Sequence, residues 1–213
     1  MIVLELFSRS GSAGKVFSGN GWEAFSLDID PKANNPTLYK DMLHVARCDL
    51  PEHVDAVWAS PLCTHYPRAR TRATAPRDFV HAASLVANTR ELISWYPDEP
   101  FFIENPQGLL RHRAVIQGIP RYTVDYCQYK DERWPQLYRK RTHLWSNCSF
   151  HPRPLCDKKT CGCCVNGKHM AVVQKWYTNS DGTRMRNSAS QVLYTIPPQV
   201  DRRCLATTYK RHL

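Results

Sequence analysis

The sequence predicts an α/β fold: a doubly wound, mainly parallel sheet carrying a small cysteine-rich lobe. Three observations lead there. Short apolar runs alternate with helical or small-residue stretches until about residue 145, as strands alternate with helices in such sheets. Several runs stop at a polar residue, where an open α/β sheet presents groups to a ligand. From residue 147 the periodicity fades and cysteines crowd together.

Residues 2–7 form an apolar run that enters the small-residue turn Ser8-Arg9-Ser10-Gly11-Ser12-Ala13-Gly14. This reads as a buried strand and a tight turn, with a helix beginning at Lys15-Val16-Phe17. Residues 24–27 are a second strand, closed by Asp28-Ile29-Asp30-Pro31, and residues 54–59 a third, closed by Ser60-Pro61-Leu62-Cys63. Over residues 78–95, Phe79, Ala82, Ala83, Leu85, Val86, Leu92 and Ile93 fall on one helical stripe. Residues 100–103 are a fourth strand, stopped at Glu104-Asn105-Pro106, and further strands are expected at 122–126 and 142–145.

With 213 residues and 24.6 kDa, the chain can bury one sizeable core and carry an appendage. Its hydrophobic content of 42% excludes a disordered chain. No apolar run approaches the roughly 18 residues of a membrane span, and no signal segment opens the sequence, so a cytoplasmic protein is expected. In that compartment nine cysteines point to metal or catalysis rather than to disulfides. The net charge of +10 is uneven: residues 1–60 hold five basic and eight acidic groups, the remainder 24 and 11. A polyanion is expected to meet the second part of the chain.

Four local patterns carry chemistry. The turn from Phe7 to Gly14 can wrap backbone around a ligand, and Asp28 can accept hydrogen bonds from a ribose diol. The G-x-G-x-x-G spacing of a pyrophosphate site is absent. Unless this is an ordinary tight turn, it suits an adenosine ligand. Cys63 leaves a central strand at the ligand edge, where Arg68, Arg70 and Arg72 favour its thiolate; the alternative is a buried structural cysteine. Glu104 follows three apolar residues, so desolvation suits it to donate a proton near neutrality; the alternative is a capping carboxylate. Arg139 and Arg141, two apart on a strand, share one face.

In this order the four patterns resemble the cytosine-5 DNA methyltransferase family, across roughly residues 2–147. The resemblance implies a Rossmann-like fold that binds S-adenosylmethionine. It places Phe7 on the adenine, Ser8, Gly11 and Gly14 in the binding turn, and Asp28 with Ile29 at the ribose. Asp41 with Met42 falls at the adenine edge, and Ser60 opens the nucleophile loop. The family's G-P-P-C corresponds to Ser60-Pro61-Leu62-Cys63, with Leu62 in place of a proline. Its E-N-V corresponds to Glu104-Asn105-Pro106. Its P-Q-x-R-x-R strand is similar to Pro135-Gln136 followed by Arg139 and Arg141, with one extra residue between. Arg186-Asn187-Ser188 stands where the family has G-N-S. The stretches Tyr126-Cys127-Gln128-Tyr129 and Ile196-Pro197-Pro198 are similar to small phage-borne methyltransferases.

The implied chemistry is addition of the Cys63 thiolate to carbon 6 of a flipped or single-stranded cytosine. Glu104 then serves ring nitrogen 3, and Arg141 with Arg139 holds the base and phosphate. Arg68, Arg70, Arg72 and Arg77 suit a loop gripping DNA phosphates, and Asn105 and Gln136 are counted with the nucleic-acid-facing residues. The chain divides into a catalytic unit at 1–147, a basic cysteine-rich lobe at 148–185 and a returning segment at 186–213. In the lobe, Cys156, Cys161, Cys164 and His169 make a workable zinc set, with Cys148 or Cys163 as substitutes. The lobe stands where the family recognises its target and is short for that task, so a protein partner for recognition is a further expectation. Still open are amino-group methylation, a tRNA substrate, a modified sulfonium donor, and an inactive DNA-binding protein of the same fold.

Overall fold

The computed structural model describes residues 1–67, 75–129 and 138–170, and the backbone of 176–178 and 184–186. Strand β1 (Ile2–Leu6) is buried along nearly its whole length because the sheet continues on both sides of it. On one side it pairs in parallel with β2 (Glu23–Asp28), which in turn pairs with β3 (Leu38–Tyr39). On the other it pairs with β4 (Ala56–Ala59), and β4 pairs with β5 (Phe101–Pro106), again in parallel. Beyond β5 the direction reverses. β7 (Arg141–Ser146) runs antiparallel to both β5 and β6 (Arg121–Asp125), giving a seven-stranded sheet in the order β3-β2-β1-β4-β5-β7-β6.

Two helices cover the sheet. Helix α1 (Ser12–Ser18) starts three residues earlier than the sequence predicts, because Gly11 takes a left-handed φ of 62° and turns the chain into the helix at once. Helix α2 (Phe79–Ser94) is capped by Asp78, whose side chain accepts the His81 N–H at 2.8 Å. Its stripe of Ala82, Leu85, Val86, Leu92 and Ile93 packs on Leu4, Leu6, Val57 and Ile103. Burial of each such large aliphatic contributes about 1.5–3 kcal/mol, so this face does most to fix the sheet.

The expected strands all form. β5 continues through Glu104 and Asn105 to Pro106, because β7 pairs with each of these positions. The two-residue β3 carries too little pattern to be read in advance. After β7 the chain enters a lobe whose regular structure is a hairpin of β8 (Cys164–Val165) and β9 (Lys168–His169). Asn166 and Gly167 turn it, with φ of 49° and 71°, the torsions that tight hairpins require. Two further strands, β10 (Trp176–Thr178) and β11 (Arg184–Arg186), pair antiparallel. No helix among the described residues is long and apolar enough to cross a membrane.

Candidate active site

A cavity of about 350 Å³ opens at the carboxyl ends of the parallel strands. Phe7, Ser8, Asp28, Ile29, Asp41, Met42, Ser60, Cys63 and Glu104 all line it, so nine positions singled out in the sequence meet in one space.

At one end, the chain leaves β1 through Phe7 and Arg9, both at positive φ. This bend turns the Arg9 N–H to an Asp28 carboxylate oxygen at 2.8 Å, and the Asp30 N–H donates to the other at 2.7 Å. Each oxygen keeps a second lone pair for a ligand hydroxyl. Beside Asp28, Ile29 leaves its apolar side chain 63% exposed at the cavity. Asp41 holds the Leu43 N–H at 3.0 Å. Trp58 donates its indole N–H to the Ser60 hydroxyl at 3.1 Å. Gly11 and Gly14 do not line the cavity but shape its floor. Gly14 lies so close to Glu5 that a Cβ there would fall 2.5 Å from a carboxylate oxygen. Glu5 in turn accepts the Gly14 and Ala13 N–H groups at 3.0 and 3.2 Å. Burial pushes its carboxyl up to about 7 against these two hydrogen bonds, which lower it.

At the other end sits Cys63, half-buried, its thiol pushed up by burial and by the Glu104 carboxylate while Lys140 opposes the rise. The arginines expected to favour its thiolate, Arg68, Arg70 and Arg72, lie outside the described residues, as does Gln136. The loop carrying Cys63 is fixed on both flanks. Asn105, fully buried, donates its side-chain amide to the Pro61 carbonyl at 3.0 Å. The Tyr66 N–H donates to the Cys63 carbonyl at 3.0 Å, and the Leu109 N–H to the Tyr66 carbonyl at 2.8 Å. Gly108 presses on that same carbonyl, where a Cβ would stand 2.4 Å from the oxygen. Asn105 thus holds the loop that carries Cys63 and is not among the residues that line the cavity. Arg77 donates to the His65 carbonyl at 2.6 Å and closes the base of the following loop.

Glu104 accepts the Tyr126 hydroxyl at 3.1 Å and pairs with Lys140 at 3.7 Å. Lys140 is the cavity-lining cation on this side. Neither Arg139 nor Arg141 is among the lining residues. Arg141 grips the fully buried Asp125 carboxylate through two contacts of 2.8 and 2.6 Å, and Arg139 reaches the same group at 4.0 Å. Lys140 directly precedes β7 and Arg141 opens it, and the side chains alternate along this stretch, Arg139 and Arg141 reaching Asp125 and Lys140 reaching Glu104. Counted without a gap from Gln136, the second arginine of the P-Q-x-R-x-R pattern falls on Lys140. His81 and Leu85 of α2 also line the cavity; only the helical stripe hinted at Leu85.

In the lobe, the converging donors are Cys127, Cys156, Cys161 and His169, whose ligand atoms all lie within 4.8 Å of one another. Three of the four expected residues are there. Cys164 is replaced by Cys127, from the turn that follows β6.

The sheet order and this cavity define the class: a doubly wound α/β fold with its cavity at the carboxyl ends of the parallel strands. It matches a solved "putative DNA modification methyltransferase" encoded within an E. coli prophage, with a TM-score of 0.51 and 16% identity over 99% of this chain and 69% of that one. Within the class, the chain resembles the DNA cytosine-5 methyltransferases nearly end to end. A curated frog virus 3 protein, named "Probable DNA (cytosine-5)-methyltransferase", is 28% identical over 94% of this chain and 96% of its own length. A DNMT2 mutant structure from Spodoptera frugiperda aligns with 71% of this chain at 16% identity and a TM-score of 0.45; the chain spans 53% of that protein's length. No family model matches.

Proposed function

We propose that the protein methylates carbon 5 of cytosine in DNA. The observation that carries this reading is the convergence of Cys63, Glu104 and Asp28 on one cavity. The related viral protein's name points to the same reaction. The cavity suits S-adenosylmethionine: Asp28 offers lone pairs to a ribose diol, and the exposed Ile29 offers an apolar face to a purine. When bound, S-adenosylmethionine supplies an electrophilic methyl group on a sulfonium.

Cytosine carbon 5 is too weak a nucleophile to take that group unaided. The Cys63 thiol loses its proton, and the thiolate adds to ring carbon 6. The displaced electron pair is neutralised at ring nitrogen 3, which takes up the thiol proton from Glu104, the carboxylate that first accepted it from Cys63. Lys140 steadies the carboxylate when it is charged. After transfer, water takes the proton on carbon 5 as the bond from carbon 6 to sulfur breaks and the ring double bond returns, and the nitrogen 3 proton passes back through Glu104 to the thiolate. The ring atoms are out of reach inside a duplex, so the base enters flipped or from a single strand. On this reading residues 1–147 carry the reaction, 148–185 form a short target-facing lobe and 186–213 return to the catalytic unit. The positive second part of the chain, arginines 68, 70, 72 and 77 included, supplies phosphate contacts.

The test is mass spectrometry of nucleosides from DNA incubated with protein and donor, beside a Cys63→Ala chain. 5-Methylcytosine that vanishes in the variant supports the reading. Methylation of an amino group that survives the substitution overturns it. A product on tRNA alone moves the substrate to RNA.

A further inference from the structure

We propose that Cys127, Cys156, Cys161 and His169 form a tetrahedral zinc site that fastens the lobe to the catalytic sheet. The geometry is that of a ligand shell. Zinc bonds of about 2.3 Å to sulfur and 2.0–2.1 Å to nitrogen, at tetrahedral angles, hold the donor atoms about 3.5–3.8 Å apart. The Cys156 and Cys161 sulfurs lie 3.5 and 3.8 Å from His169 Nε2, and all four donor atoms fall within 4.8 Å of one another. The three cysteines are buried. Three thiolates and one imidazole in a tetrahedron select zinc over the oxygen-preferring cations.

The lobe also needs such a centre. Over residues 147–170 it has two-residue strands and leaves Leu155, Val165 and Met170 exposed. Cys148 and Phe150 at its start pack into the core beside β6 and β7, and beyond them its interior is the cluster of Cys156, Cys161 and Cys163 packed on Cys127, with Cys164 at the edge. A segment of this size without an aliphatic core requires a staple. Plain thiol packing does not account for an imidazole nitrogen aimed at two sulfurs.

Cys127 is what makes the site a fastening rather than an internal knot, because it belongs to the turn after β6. The neighbouring contacts run the same way. The Cys156 N–H donates to Asp125 at 3.0 Å, the Arg153 N–H donates to the Tyr129 hydroxyl at 2.8 Å, and the Arg153 guanidinium donates to the Gln128 carbonyl. This inference stands whether or not the chain methylates cytosine.

The test is elemental analysis of the full chain purified without chelator, compared with Cys127→Ser and Cys164→Ser. About one zinc per chain is expected, lost in Cys127→Ser and retained in Cys164→Ser. Cobalt(II) loaded into the unsubstituted chain is expected to show the intense visible bands of a tetrahedral thiolate site, which keeps the proposal testable if Cys127→Ser fails to fold. Absence of zinc together with weak octahedral cobalt bands would overturn it. So would bound iron in place of zinc, or loss of zinc in Cys164→Ser with retention in Cys127→Ser.

Discussion

The two ends of the cavity are built on different principles. At the end holding Asp28, Phe7 and Ser60, parallel strands stop and each side chain is delivered by its own strand terminus, steadied by backbone N–H groups close by. At the end holding Glu104 and Lys140, the strands run antiparallel, and neighbours settle which side chain faces the cavity. Asp125, Tyr126 and Cys127 there reach three different partners in succession: Arg141, Glu104 and the cysteine cluster. A strand terminus is a local device that a short sequence can encode. A cross-strand network is collective, and one register step changes its meaning.

The largest effect expected is at the end that holds Glu104. Cys63→Ala should abolish methylation in a nucleoside assay while leaving the thermal midpoint nearly unchanged. Next, Arg141→Met should leave the buried Asp125 carboxylate with only the Cys156 N–H and the distant Arg139 among its described contacts and cost about 3–5 kcal/mol in denaturant unfolding. If it instead removed activity at full stability, Arg141 would be reading the substrate and the network account would be wrong. Glu5→Gln probes the other end. The folded chain holds the Glu5 proton more tightly than the unfolded chain, so stability should fall as pH rises from about 4.5 to about 7. Below that window the contribution is fully present. In the Gln variant this fall, about 3 kcal/mol, should disappear from urea melts across the range. The smallest expected change is in Lys140→Met, which should lower kcat roughly 10- to 100-fold by removing one charge-assisted contact without the stability loss of Arg141→Met. Equal stability losses in the two would erase the distinction between the faces of β7.

This contrast also explains what could be read from the sequence. Asp28 and Glu104 each follow an apolar run directly, and Cys63 closes the short loop after one, so the end of the run locates the side chain. The helix at Phe79–Ser94 was legible for a similar reason, its stripe repeating over four turns. Lys140 was not legible, because facing depends on how β7 registers with β5 and β6 rather than on its own pattern. Asp125 and Cys127 are equally silent in isolation. Their partners lie 16 residues or more along the chain, and cysteine spacing inside the lobe favoured Cys164. Asn105 sat in a motif beside a reactive carboxyl, and its burial against the Pro61 carbonyl is a tertiary fact.

Gly108 lies outside the cavity, yet its closeness to the Tyr66 carbonyl makes it a dial on the reaction. A methyl group at that position displaces Tyr66 and, through the turn it closes, Cys63. On the proposed function, a Gly108→Ala chain is a route to a temperature-sensitive allele, its Cys63 loop loosening at a lower temperature than the sheet beneath it.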